Sequence, residues 1–217
     1  MDVLLIIVVL LFSIVVHEVA HAWQARREGD DTADRLGRIT LNPIPHLDPI
    51  GSFIVPALLY LSGSGFLFGW AKPVPVNPAN YREYVAGDIR VSMAGIVSNV
   101  GLAVLSTLLL AVLVKADAVF GPFGAAYDTA YTALHYGILI NLVLAFFNLL
   151  PIPPLDGSHV MAHLLPQRFA HQYRQFGQWG VLALMGILYL VPGAFSIVLW
   201  PVLFLRGLAD WFVRLWI

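Results

Sequence analysis

The sequence predicts an all-α polytopic membrane protein of about five transmembrane helices, with a re-entrant segment and short extended arms on the cytoplasmic side. Three observations carry that expectation. Of 217 residues, 59% are apolar and 12% charged, against about 45–50% and 25% in ordinary soluble domains, and mean hydropathy is +0.79. The apolar residues fall in runs near the ~20 positions a helix needs to cross the hydrocarbon core. Prolines at 43–49, 73–78 and 151–154 interrupt those runs and impose extended or turning backbone.

Composition also excludes function classes. A net charge of −1 supplies no basic excess for phosphate neutralisation, so no nucleic-acid partner is expected. The absence of cysteine rules out disulfides, thiolate metal sites and thiol nucleophiles, which leaves imidazole and carboxylate as the strong metal ligands.

In chain order, residues 3–23 form the first span. Only Met1 and Asp2 precede it, without the basic n-region of a signal peptide, so it reads as a retained helix. Gly29 and the acidic cluster Asp30, Asp31 and Asp34 end it. Arg26, Arg27, Arg35 and Arg38 then mark the following segment as cytoplasmic, which puts the N-terminus outside. Arg38 to Asn42 alternates apolar and polar with period two, and Trp70 to Val76 carries two prolines; both read as extended arms or short edge strands.

Between the arms, Ile50 to Phe68 is nearly long enough to span. If it dips in and returns, eleven of the twelve Lys and Arg lie inside, with Lys115 the exception; Pro56, Gly63, Gly65 and Gly69 supply the breaks that re-entry needs. Val91 to Val114 and Thr129 to Leu150 are full spans, and the second stops at Pro151-Ile152-Pro153-Pro154-Leu155-Asp156-Gly157. Gln172 to Val191 and Ala194 to Arg214 read as two more spans divided by Pro192-Gly193, returning the C-terminus to the cytoplasm. The chain is one domain, 1–217, with a core of 1–165 and C-terminal helices over 172–214.

The chemistry concentrates in His17-Glu18-Val19-Ala20-His21. Residues four apart on a helix share a face at about 5–6 Å, so His17 and His21 can grip one zinc ion. Glu18, beside the first ligand, can take a proton from water without occupying a coordination position. Three costly polar groups inside an apolar helix mark a functional site by default. Two histidines leave a catalytic zinc site one protein ligand short, and Asp156, held in a proline-bounded loop at the same end of its span, is the candidate third. Re-entry of 50–68 is what keeps Asp156 on the histidine side. His159 and His163 repeat the i, i+4 spacing without an adjacent carboxylate, which favours a supporting role.

These residues resemble the site-2 protease family of intramembrane zinc metallopeptidases. The match lies in His17-Glu18-Val19-Ala20-His21 and in Asn148-Leu149-Leu150-Pro151-Ile152-Pro153-Pro154-Leu155-Asp156-Gly157. Leu41-Asn42-Pro43, His46-Leu47-Asp48-Pro49 and Ala71 to Pro78 resemble the small bacterial-type branch. The resemblance implies one Zn2+ per chain on His17, His21 and Asp156, with Glu18 activating water for hydrolysis of a transmembrane protein substrate. It further implies substrate contact by Asn148, with Asn141 and Asn99 as weaker candidates. The family's usual Gly-Pro pair is replaced here by Gly95-Ile96, ahead of Asn99.

The expected function is therefore an intramembrane zinc metalloprotease, multi-pass in the cell membrane, whose partners are the bilayer and a transmembrane substrate. An extended arm at Ile39–Asn42 or Val74–Asn77 is expected to pair with the unwound substrate by strand addition. The competing class is a non-catalytic zinc-binding adaptor or inactive relative. Transport is a third, but transporters usually carry inverted repeats, and none is evident here.

Overall fold

The computed structural model describes residues 2–61, 71–121 and 123–216, and every regular element among them is helical. Helix α1 (Asp2–Glu28) is an unbroken apolar rod about 40 Å long, ending with Arg26 and Arg27 in its last turn. Gly29 then adopts φ +116°, a conformation that favours glycine, and turns the chain into the short α2 (Thr32–Arg35). Asp30 sits fully buried at that corner. Its carboxylate accepts from the Asn77 N–H at 2.7 Å and Asn80 Nδ2 at 2.8 Å, and also from Thr32.

A single 3₁₀ turn at Ile44–His46 and a wide turn over Pro49–Ile54 lead into α3 (Val55–Leu61). The far side of the expected re-entrant loop, 62–70, lies outside the described residues. Its two ends are nevertheless side by side, because the Lys72 N–H donates to the His46 carbonyl at 2.9 Å. The segment therefore leaves and returns at the same end of the bundle.

Helix α4 (Tyr84–Phe120) is the longest element, about 55 Å, and packs on α1 and α5 (Ala125–Leu149). It runs antiparallel to α1, since Arg90 meets Glu28 while Asn99 meets Ser13. After α5 the proline loop leads to α6 (Gly157–Leu164), α7 (Gln167–Gln175), α8 (Gly177–Leu190) and α9 (Ala194–Arg214). The main core joins Leu110, Ala111 and Val114 of α4 to Ile138 and Leu142 of α5 and Val202 and Val213 of α9. Large apolar side chains such as Ile7, Phe12, Val104, Leu108, Leu203 and Phe204 point outward, as a lipid-facing surface requires.

Two expectations are corrected. Four described helices are long and apolar enough to cross a membrane: α1, α4, α5 and α9. The expected span at Gln172–Val191 instead breaks at Phe176, and α8 at 14 residues reaches only about 21 Å of the ~30 Å required. One crossing fewer reverses α9. Its end lies at the far end of α4, with Trp216 beside Val119 and Phe120, and Asp210 faces His135 in the outer half of α5. Residues 2 and 216 thus fall at the same end of the bundle, away from residues 28–48, instead of at opposite ends, and Arg206 and Arg214 go with residue 216. Neither arm forms a strand: residues 39–41 are bends, and residues 71–77 carry no regular hydrogen-bonded structure.

Candidate metal centre

His17 and His21 stand one turn apart on α1 where α4 crosses it, and each ring is aimed through its Nδ1. His21 Nδ1 lies 2.7 Å from the Val91 carbonyl, which can only accept, so in the neutral imidazole, the form that binds a metal, the proton is on Nδ1 and Nε2 carries the lone pair. His17 Nδ1 lies 2.6 Å from Asn99 Oδ1. Asn99 uses its amide nitrogen to donate to Asn141 Oδ1 at 2.8 Å and toward the Ser13 carbonyl, which fixes its oxygen toward His17 and again leaves Nε2 bare.

The two Nε2 atoms are 3.0 Å apart, and Asp156 Oδ2 lies 3.2 Å from one and 3.3 Å from the other. That oxygen is buried and receives no hydrogen bond. Three acceptor atoms therefore converge with no donor among them, an arrangement that a cation resolves. Tetrahedral zinc with bonds of about 2.0–2.1 Å sets its ligands about 3.4 Å apart, close to the three distances found. Among the described residues, His17, His21 and Asp156 are the one group of three such side chains near enough to share an ion.

The backbone that permits this convergence is glycine twice. A Cβ at Gly95 would lie 2.5 Å from both His17 Cε1 and His21 Nε2, so the two rings rest directly on the α4 backbone. A Cβ at Gly157 would collide with the Leu149 carbonyl oxygen, so only glycine lets the proline loop fold back far enough to bring Asp156 to α1. That loop contains a cis peptide between Pro153 and Pro154.

Glu18 is half-buried beside His17, and its Oε2 accepts from the Val74 N–H at 2.7 Å. The arm carrying Val74 is itself gripped by Arg38, whose Nη2 donates to the Lys72 carbonyl at 2.9 Å. Most N–H donors of this arm are taken within the chain. Its Lys72, Val74 and Asn77 N–H groups are turned to His46, Glu18 and Asp30, and Pro73 and Pro75 have none.

Of the three asparagines read as substrate contacts, two are spent inside the protein. Asn99 and Asn141 are 0% and 2% exposed, and Asn141 donates to Ser13 Oγ and the Gly137 carbonyl while accepting from Asn99. They form the buried network that orients His17, because a polar group so far from water must find its partners in the fold. Asn148, half-buried in the last turn of α5, donates to the Leu144 carbonyl.

The supporting residues Ser13, Val91, Gly95 and Asp88 were not singled out from the sequence as parts of the site. The spacing Asp88, Val91, Gly95, Asn99 places all four on one face of α4; the polar pair Asp88 and Asn99 on that face was the available signal, and Val91, which acts through its carbonyl, carried none. Asp88, 4% exposed, accepts from His159 Nδ1 at 3.2 Å and His163 Nε2 at 2.7 Å.

Similarity to known proteins identifies the family. Residues 49–192, which include Asp156, match the model of peptidase family M50, the site-2 protease family. YwhC of Bacillus subtilis is 39% identical over 200 residues, covering 91% of this chain and 85% of its own. Rip2 of Mycolicibacterium smegmatis is 32% identical over 206 residues, covering 91% and 72%. MJ0611 of Methanocaldococcus jannaschii is 28% identical over 149 residues, covering 67% and 62%. All three bear the name "putative zinc metalloprotease". No solved structure matches. With two thirds of its length accounted for by the family model, this chain belongs to peptidase family M50.

Proposed function

We propose that the chain is a zinc-dependent endopeptidase cutting in or near transmembrane segments of other membrane proteins, with His17, His21 and Asp156 as the metal ligands. The observation that carries this reading is the meeting of three bare acceptor atoms next to a carboxylate that is not one of them. Zinc, when bound, supplies Lewis acidity toward a peptide carbonyl and makes water acidic enough to ionise near neutral pH.

The chain's own groups do the rest. Asn99 Oδ1 and the Val91 carbonyl hold the imidazoles in the ligating tautomer, the task that partners behind a metal ligand ordinarily perform. Glu18 holds the proton taken from water at Oε1, since Oε2 is fixed by the Val74 N–H, and hands it to the departing amine as general acid. Asn148 is the candidate for contact with the substrate backbone.

The charge distribution supports a cytoplasmic metal centre. All Lys and Arg except Lys115, Arg206 and Arg214 sit at the metal end of the bundle, as the positive-inside rule expects; both termini are then outside. The deciding experiment is Glu18→Gln, assayed for zinc content and for cleavage of membrane-protein substrates in proteoliposomes. Zinc retained with cleavage lost is the expected result. Cleavage unchanged sinks the assignment of Glu18, and absence of cleavage in the wild type leaves the chain a zinc-binding adaptor.

A further inference from the structure

We infer that Asp88 is a positioning residue for the third metal ligand: by holding His159 and His163 it locks α6 onto α4 and so sets Asp156 against the two α1 imidazoles. The inference rests on the metallopeptidase reading above.

Asp156 is poorly held at its own position. It occupies the residue before α6, makes no side-chain cap bond, and its Oδ2 has no hydrogen-bond donor. Its location is therefore inherited from the loop before it and the helix after it. That helix has eight residues, far fewer than the ~12–15 needed for stability alone. Beside it opens a surface cleft of about 320 Å³ lined by Tyr84, Pro153, Pro154, His159, Tyr173 and Arg174, so among the described residues no neighbouring helix covers that flank.

What anchors α6 polarly is the clamp. His159 and His163 are i, i+4 and share one face; both rings turn to the Asp88 carboxylate, which is buried on α4. Undocking α6 would take both donors from a buried carboxylate and strand its charge, so the pairing is strongly favoured over an undocked α6. The cluster is no second metal centre. The two imidazoles address the carboxylate at 3.2 and 2.7 Å as hydrogen-bond donors, and the three side chains are not among the described groups close enough to share an ion.

The arrangement makes α4 a template for the whole centre. Asn99 and the Val91 carbonyl orient the histidines, Gly95 seats them, and Asp88, two turns below Gly95, fixes the helix that delivers the carboxylate. His163 is seven residues from Asp156, a lever of about 10 Å. A tilt of about 5° at that lever moves Asp156 by roughly 0.9 Å, several times the ~0.2 Å tolerance of a metal site.

The chain has no cysteine, so spin labels at Val85→Cys and Leu164→Cys, both exposed in the parent, report the α4–α6 distance in the full-length protein in nanodiscs. Zinc affinity is measured in the unlabelled variants by competition with a chelator. In metal-free protein, Asp88→Ala broadens the distance distribution; in the zinc assay it weakens binding on the order of 10–100-fold. His159→Ala/His163→Ala, which attacks the clamp from the other side, does the same and guards against a folding defect peculiar to one variant. In the Asp156→Ala background, Asp88→Ala has no further effect on zinc, because the ligand it positions is gone. An unchanged distance distribution, a broadened one with wild-type zinc affinity, or effects that multiply in the double variant would each overturn the inference. If the wild type binds no zinc, the metallopeptidase reading fails, and the anchoring role of Asp88 is decided by the distance measurement alone.

Discussion

Gly95→Ala tests the packing of the metal centre with a single methyl group. The added Cβ would stand 2.5 Å from His17 Cε1 and His21 Nε2 and 2.7 Å from His17 Nδ1, where ordinary contact begins at 3.4 Å. Both rings must retreat by about 0.9 Å from α4. They cannot do so freely, because Asn99 and Val91 on that same helix hold their Nδ1 atoms. Two of three ligands then miss the ~0.2 Å tolerance of a zinc site, and the expected loss of zinc affinity is at least about 100-fold. The fold suffers much less. Overpacking costs about 1–3 kcal/mol, offset by about 0.5–1 kcal/mol from replacing a helical glycine. Gly101→Ala on the same helix is the matched control: nothing lies within 4 Å of its Cβ, so it gains that increment and leaves zinc untouched. Zinc stoichiometry by mass spectrometry and thermal unfolding by circular dichroism, in detergent, read both quantities. Wild-type zinc affinity in Gly95→Ala would refute the close seating of the rings on α4.

Asn99→Ala removes the acceptor on His17 and leaves Asn141 Oδ1 without its donor; zinc affinity falls on the order of 10–100-fold, measured by chelator competition. Val74→Pro deletes the N–H that holds Glu18 Oε2, so cleavage slows while zinc content stays at the wild-type level, and loss of zinc instead would show that the arm supports the ligands. Asp30→Asn costs about 1.5–3 kcal/mol through its charge-assisted hydrogen bonds. Burial pushes the Asp30 carboxyl up, but donation from Thr32, Asn77 and Asn80 outweighs it and holds the group below the usual carboxylate range. Its contribution is therefore complete above the ordinary carboxylate pKa of about 4 and disappears as pH falls through the lowered value. Unfolding scans from neutral to acid pH should show the wild-type advantage over Asp30→Asn shrinking only at the acid end.

The lengths of the apolar runs and the proline stops placed α1, α5 and the bend at 151–157 within about five residues, because span length and helix termination are local properties, whereas α4 runs over Tyr84–Phe120, well beyond the expected 91–114 at both ends. The HEVAH spacing put two imidazoles on one face for the same reason. The span over Gln172–Val191 was misjudged because hydropathy does not register the break at Phe176 or the close approach of Gly180 to the Pro153 carbonyl. That one helix decided the direction of α9 and the side of the C-terminus.

The asparagines show the other limit. A polar residue in a span announces that it needs a partner, yet nothing in the sequence says whether that partner is substrate or protein. Asn99 meets His17 across 82 positions and Asn141 meets Ser13 across 128; such pairs carry no periodicity that links them. The sequence by itself determined the chemistry available: two histidines and a glutamate on one helix, an aspartate in a proline-bounded bend, and an apolar envelope. Only the tertiary structure decided which polar groups serve the metal centre and at which end of the bundle each segment lies, because those outcomes depend on how helices cross, and helix crossing is set by contacts between residues far apart in the chain.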